Sequence, residues 1–84
     1  MASAQEIRSI LARHGTLART IDRISDDDCL FDNGLDSFGA VQVMMDLEDH
    51  FEIQFPEHLL SREVFSTVRN IQRFVSAQVL RAAA

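Results

Sequence analysis

The sequence predicts an all-α domain, and three stretches carry that expectation. Ser3 and Glu6 form an S-x-x-E capping box ahead of apolar Ile7, Ile10 and Leu11. From Ala40 the apolar residues fall at 40, 43, 44, 47 and 51, which is helical spacing, with Gly34 breaking the chain just upstream. A third series, Val68, Ile71, Phe74, Val75 and Val79, shares one face behind a cap at Ser66 or Thr67, with Arg69, Arg73 and Arg81 on the others. The 84 residues make one small domain spanning 1–84, and 46% of them are apolar, enough for a compact core.

Taken in order, the first helix is expected to end at Gly15, with Arg8 and Arg13 on its solvated side and His14 capping or packing near its C-terminus. Residues 16 to 36 read as a long loop, with at most a turn of helix, pinned to the core by Leu17, Ile21, Ile24, Leu30 and Phe31. A loop that long in so small a domain points to function. Its run Asp26, Asp27, Asp28 raises calcium, but with Gly34 at the sixth place of an EF-hand loop the ligand positions fall on Cys29, Phe31 and Asn33. Ala40 then stands where the bidentate Glu belongs, so that register fails and no metal site is expected. After the Ser37 helix, Ile53, Gln54, Phe55 and Pro56 turn the chain. Pro56 opens a short helix, expected from Glu57 to about Phe65, that carries Leu59, Leu60, Val64 and Phe65, with His58 at the surface. The trailing Ala82, Ala83 and Ala84 are expected to fray.

Charge narrows the partners. The net charge is −5, all eight basic residues are Arg, and between Ile24 and Ser61 ten acids occur with no Arg or Lys. That balance argues against nucleic acid, whose binding rests on neutralising phosphates with basic side chains, and favours a basic protein partner. The lone Cys29 forms no internal disulfide, the N-terminal residues resemble no signal peptide, and no stretch is apolar enough to span a membrane. A cytoplasmic monomer without membrane insertion is expected.

The stretch Leu35, Asp36, Ser37, Phe38 is the centre of the sequence. It puts a hydroxyl, preceded by a carboxylate, in the first turn of a helix, where unpaired N–H groups and the macrodipole favour a phosphate attached to the serine oxygen. The plain alternative is that Asp36 or Ser37 only caps the helix. That helix has two apolar faces. Ala40, Val43, Met44, Leu47 and Phe51 form the core stripe, while Phe38, Val41 and Met45 lie nearly opposite, interleaved with Gln42, Glu48, Asp49 and Glu52. A helix docking a basic partner has this pattern, with Phe38, Val41, Gln42, Met45, Glu48 and Asp49 as its contact residues. No Gly-x-Ser-x-Gly elbow surrounds Ser37 and no His spacing argues for a triad, so no catalytic residue is expected.

Leu35-Asp36-Ser37-Phe38, followed by Val41, Leu47, Glu48, Asp49, Phe51, Ile53 and Pro56, resembles the acyl carrier proteins and their phosphopantetheine-binding relatives, in which an Asp-Ser-Leu triplet opens the second helix. The likeness runs from about Phe31 to Val75. It implies a four-helix bundle with a short third helix and a long first loop. It further implies that Ser37 carries a 4'-phosphopantetheine arm, added from coenzyme A by a magnesium-dependent phosphopantetheinyl transferase, with Asp36 part of the modification motif. The thiol of such an arm holds acyl groups as thioesters, and the acidic second helix is read by basic patches on acyl-transferring or acyl-processing enzymes. Helices of this kind could admit cargo only between themselves, and the candidate lining is Phe31, Met44, Leu47, Phe51, Ile53, Val64, Phe65, Ile71 and Phe74.

The sequence departs from the family pattern at several places. Phe38 stands for the usual Leu, Asn33 for the Leu of an Asp-Leu-Gly lead-in, and Gly39 and Gln42 for acids frequent in fatty-acid carriers, while the stretch from Pro56 to Thr67 is about two residues longer. These changes point to a specialised lipid or secondary-metabolite pathway rather than bulk fatty acid biosynthesis. A peptidyl or aryl carrier remains an alternative. So does an unmodified acidic interaction module.

Overall fold

The computed structural model describes residues 2–14, 17–56 and 61–83. Among them are four α-helices, α1 (Ala4–Leu11), α2 (Leu17–Thr20), α3 (Ser37–Phe51) and α4 (Val68–Ala83), with 3-10 turns at Ile21–Arg23 and Phe31–Asn33 and no strand. Helix α1 packs on α3 and α4, and these two pack on each other.

The capping box forms as the sequence predicts. Ser3 Oγ accepts the Glu6 N–H at 3.1 Å and Glu6 Oε1 accepts the Ser3 N–H at 3.3 Å, satisfying two otherwise unpaired donors. Helix α1 stops at Leu11, before Gly15, which lies outside the described residues; turns at Arg13 and His14 close on the carbonyls of Ile10 and Leu11. Ile7, Ile10 and Leu11 are fully buried against Val43, Leu47, Val68, Ile71 and Val75. Each such side chain contributes about 1.5–3 kcal/mol.

The long loop is pinned by Leu17, Ile21, Ile24, Leu30 and Leu35, all buried, whereas Phe31 is only partly so. Polar contacts hold it as firmly. Arg8, expected in solvent, instead reaches across: Nη1 donates to the Ile21 carbonyl (2.7 Å), Nη2 to that of Ile24 (2.8 Å), and Nε and Nη2 to Asp26 Oδ1 (3.0 and 2.8 Å). Its side chain can do so because a loop beside a helix leaves carbonyls with no ladder partner. The acids of the 26–28 run each have a structural partner: Asp27 meets Arg69 at 2.6 Å and Asp28 Oδ2 accepts the Ser25 N–H at 2.8 Å. Two backbone bonds, Leu30 N–H to Ser66 carbonyl (2.7 Å) and Arg69 N–H to Asp26 carbonyl (3.0 Å), stitch the loop to the entrance of α4. No cluster of metal-ligating side chains occurs among the described residues.

Helix α3 ends on Glu52 in the left-handed region (φ 55°), with Glu52 and Ile53 N–H groups both on the Glu48 carbonyl. Thr67 caps α4 through the Asn70 N–H (3.0 Å). The short helix expected over 57–65 falls partly on residues 57–60, including His58, Leu59 and Leu60, which lie outside the described residues; Arg62–Phe65 form turns. Behind them Phe55 stacks on Phe74 (centroids 4.8 Å apart) and tilts against Phe65 (5.5 Å). The helix α4 continues through Ala83.

Candidate functional site

Ser37 is the first residue of α3, and three features place it there. Gly34 takes a left-handed turn (φ 115°) out of the Phe31–Asn33 turn, the Leu35 N–H closes back on the Leu30 carbonyl (3.0 Å), and Leu35 is buried as an anchor. Asn33, where the family lead-in has Leu, donates from Nδ2 to the Cys29 carbonyl (2.7 Å) and fastens the same turn. Asp36 then caps the helix, its Oδ1 accepting the Gly39 N–H at 2.6 Å. Gly39 has room for that acceptor because it lacks a Cβ, which would sit 3.2 Å from both Asp36 Oδ1 and Leu35 Cδ1. Asp36 therefore has the capping role, and Ser37 is left exposed at the helix mouth.

A cleft of about 260 Å³ opens beside Ser37, lined by Phe31, Ala40, Val41, Met44, Ser61, Arg62 and Phe65. Ser37, Ala40, Val41 and Met44 follow the i, i+3, i+4, i+7 rule, so one helical face carries both the hydroxyl and the apolar floor. Of the nine cargo-lining candidates, Phe31, Met44 and Phe65 reach this cleft. Leu47 and Ile71 are fully buried core instead, Phe51 is half-buried with its ring edge-on to His50, Ile53 lines a groove with Met45, Asp46, Glu48, Asp49 and Gln54, and Val64 and Phe74 line another with Glu63, Asn70 and Arg73. Helical spacing does not separate a core face from a cleft edge, so the nine residues are distributed over the cleft, the core and two other grooves. Ala40, Ser61 and Arg62 also line the cleft; Ala40 follows from its spacing to Ser37, whereas Ser61 and Arg62 lie in a segment whose apolar spacing predicts a helix but which forms turns from Arg62.

The second face of α3 is exposed: Phe38 at 71%, Val41 at 51% and Met45 at 58% stand in solvent. Gln42 and Asp49 are exposed with them, and Phe38 and Gln42 also edge a small groove with His14, Leu17, Gly34, Leu35, Asp36 and Gly39. Glu48 departs from the expected partner face, since its Oε2 folds back to accept the Phe55 N–H (3.0 Å) and the residue is half-buried. Of the ten acids between Ile24 and Ser61, Asp26 and Asp27 are paired with Arg8 and Arg69, and Asp46 contacts His14 (2.7 Å). Arg69 donates to Asp27, holding that carboxyl below its ordinary range, and the Ser3 N–H does the same to Glu6. An exposed hydroxyl beside an apolar cleft that also holds the Arg62 guanidinium fits a phosphodiester-linked arm: the group can be added without opening the core, and a cation lies in the same cleft.

The comparisons agree with that chemistry. The family described as phosphopantetheine attachment site matches residues 5–75. An aminoacyl carrier protein of Agrobacterium fabrum (strain C58) is 42% identical over 66 residues, covering 79% of this chain and 80% of that protein. A crystal structure of engineered Bradyrhizobium japonicum glycine:[carrier protein] ligase complexed with carrier protein from Agrobacterium tumefaciens and ATP contains a similar chain, at TM-score 0.81 and 39% identity over 88% of this chain and 96% of that one. A solution structure from Agrobacterium tumefaciens matches at TM-score 0.73 and 37% identity over 98% of this chain and all of that one. With the match extending over most of its length, the chain belongs to the phosphopantetheine-binding acyl carrier proteins, which are not enzymes but carriers bearing a covalently attached 4'-phosphopantetheine.

Proposed function

We propose that Ser37 is the attachment residue and that the cargo is an amino acid, loaded as a thioester by an ATP-dependent ligase. The observation that carries the attachment is the exposed Ser37 hydroxyl at the mouth of α3, directly after the Asp36 cap. The observation that favours aminoacyl cargo over a fatty acyl chain is the 42% identity to an aminoacyl carrier protein. When bound, the arm supplies a thiol that holds acyl groups as thioesters.

The chain's own residues divide the remaining work. Asp36 and Leu35 fix where α3 begins, so that the Ser37 oxygen is presented to the phosphopantetheinyl transferase in one geometry. Phe38, Val41, Gln42, Met45 and Asp49 offer the transferase and the ligase a small apolar stripe edged by an acid, suited to an enzyme surface with a basic rim. The buried apolar core holds that stripe rigid. A lipid pathway is the competing assignment, and it predicts loading with fatty acids in place of amino acids.

Coexpression with a broad-specificity transferase tests the attachment: intact mass rises by one phosphopantetheine, and Ser37→Ala abolishes the rise. An unshifted wild type, under conditions that load a control carrier, returns the chain to the unmodified interaction module. Incubating the loaded protein with a glycine:[carrier protein] ligase, ATP and glycine should then add one glycyl group, released by hydroxylamine. Loading by octanoate through an acyl ligase, with no amino acid accepted, would replace the aminoacyl reading by the lipid one.

A further inference from the structure

Arg62 stands at a boundary in the sequence: it is the first basic residue after the long acid-only stretch, and it enters the cleft that Ser37 opens. Its guanidinium carbon lies 4.1 Å from the centroid of the Phe31 ring, a cation–π seat that fixes the head group in an otherwise exposed side chain. No hydrogen bond or ion pair joins it to another described residue. The neighbouring acids point elsewhere: Glu63 lines the groove with Val64, Asn70, Arg73 and Phe74, Asp36 Oδ1 is held by the Gly39 N–H, and neither carboxylate borders the cleft. The planar face of the guanidinium is thus occupied by an aromatic ring, while its N–H edge remains for an anion, and a guanidinium fork suits phosphate oxygens in particular.

We propose that Arg62, seated on Phe31, binds the phosphodiester of the arm attached to Ser37 and lays the arm's first segment over Ala40, Val41 and Met44. The proposal rests on Ser37 being the attachment residue. Its ligand is the phosphodiester and not the cargo, because an aminoacyl thioester ends in an ammonium group that a guanidinium repels and has no free carboxylate to attract one. The consequence is an arm with a preferred exit direction from the protein, and Arg62 is a positioning residue for it.

The test uses the phosphopantetheinylated full chain as wild type, Arg62→Ala, Arg62→Lys and Phe31→Leu, each first checked by intact mass and circular dichroism. The ³¹P resonance of the wild type should be displaced from that of a phosphopantetheinylated unfolded peptide. Arg62→Ala should move it back toward the peptide value, and Arg62→Lys and Phe31→Leu should fall between. Raising sodium chloride should shift the wild type toward Arg62→Ala, because exposed charges are screened within about 10 Å at 0.1 M salt. In the wild type, the Arg62 Hε signal should also move when the apo protein is converted to the modified form. If the mass shift is present and all four proteins share one ³¹P position, with Arg62 Hε unmoved by modification, the Arg62 role is overturned and Ser37 stands. If the wild type takes up no mass, both readings fall together.

Discussion

Arg8 and Asp26, eighteen residues apart, are joined through Nε and Nη2 of the guanidinium at 3.0 and 2.8 Å, while the same guanidinium takes the carbonyls of Ile21 and Ile24. One side chain therefore ties together the first part of the loop that leads to Ser37, from Ile21 to Asp26. Replacing it leaves two carbonyls and a carboxylate short of a donor in a partly buried setting. Arg8→Ala should lower stability by about 2 kcal/mol in urea denaturation, and Arg8→Lys should recover only part, since an ammonium cannot reproduce the fork. Arg13→Ala, on the exposed side, should stay within about 0.5 kcal/mol of wild type.

Asp27 and Glu6 both have carboxyls held below their ordinary range, Asp27 chiefly by the Arg69 hydrogen bond and Glu6 chiefly by the Ser3 N–H. A carboxyl whose folded pKa lies below its unfolded one stabilises the fold above the unfolded value and loses that contribution as pH falls through the folded one. Asp27→Asn should accordingly be less stable than wild type at pH 7 and should approach it only at acid pH, as pH falls through the depressed folded value, below the ordinary carboxyl range, where the wild-type carboxyl also becomes neutral. Denaturation midpoints measured at pH 7 and at acid pH check this. A gap that is the same at both would remove the Asp27–Arg69 pair as a pH-dependent contact.

Asp36 allows cap and charge to be separated. Asp36→Asn keeps an oxygen for the Gly39 N–H, so helix stability should change by less than about 0.5 kcal/mol, whereas Asp36→Ala should cost about 1 kcal/mol. If the transferase needs the carboxylate, for example to help hold its metal, both variants should load slowly despite their different stabilities. Loading rates that simply follow the melting temperatures would assign Asp36 to the cap alone.

Gly39→Ala pits helix propensity against crowding. Alanine is better than glycine inside a helix by up to about 1 kcal/mol. The new Cβ, 3.2 Å from the cap oxygen and from a Leu35 methyl, would push the 2.6 Å cap bond toward an ordinary 2.9 Å without breaking it. The variant should be slightly more stable than wild type by thermal melting.

Single substitutions separate the exposed residues of the proposed partner face from Glu48, which has a structural contact. Asp49→Lys should slow loading by whichever partner enzyme acts on the holo protein, increasingly so at low salt, with no change in stability. Glu48→Lys should instead destabilise by about 1 kcal/mol, because it removes the acceptor for the Phe55 N–H. Met45→Ala should weaken loading without unfolding, since Met45 is exposed.

Much of this molecule is readable from sequence. The capping box at Ser3 and Glu6, the apolar stripe from Ala40 to Phe51 and the exposed opposite stripe of Phe38, Val41 and Met45 all follow from helical periodicity, which is local. What escaped is non-local. Arg8 reads as solvated because its partners sit on a loop 13 to 18 residues away, and Glu48 reads as surface because the N–H that it caps, on Phe55, belongs to the chain after the helix. Phe55 itself reads as part of a turn, yet its stacking on Phe74 makes it core. Arg62 lies in a segment that reads as a short helix but forms turns over Arg62–Phe65, so its place beside Ser37 is set by the tertiary fold.

The internal use of acids changes how the protein looks from a distance. Asp26 and Asp27, each closed against a guanidinium, act on an approaching enzyme as dipoles, whose potential fades faster with distance than that of a single charge. Asp28, Asp32, Asp36, Asp49 and Glu52 stand exposed with no cationic partner among the described residues and act as monopoles, so the far field on this side comes from carboxylates on α3 and on the loop segment that leads into it. If α3 is the docking face proposed above, an enzyme with a basic rim should be turned before contact so that this side leads. Productive collisions become more frequent without any added attraction at the docked interface.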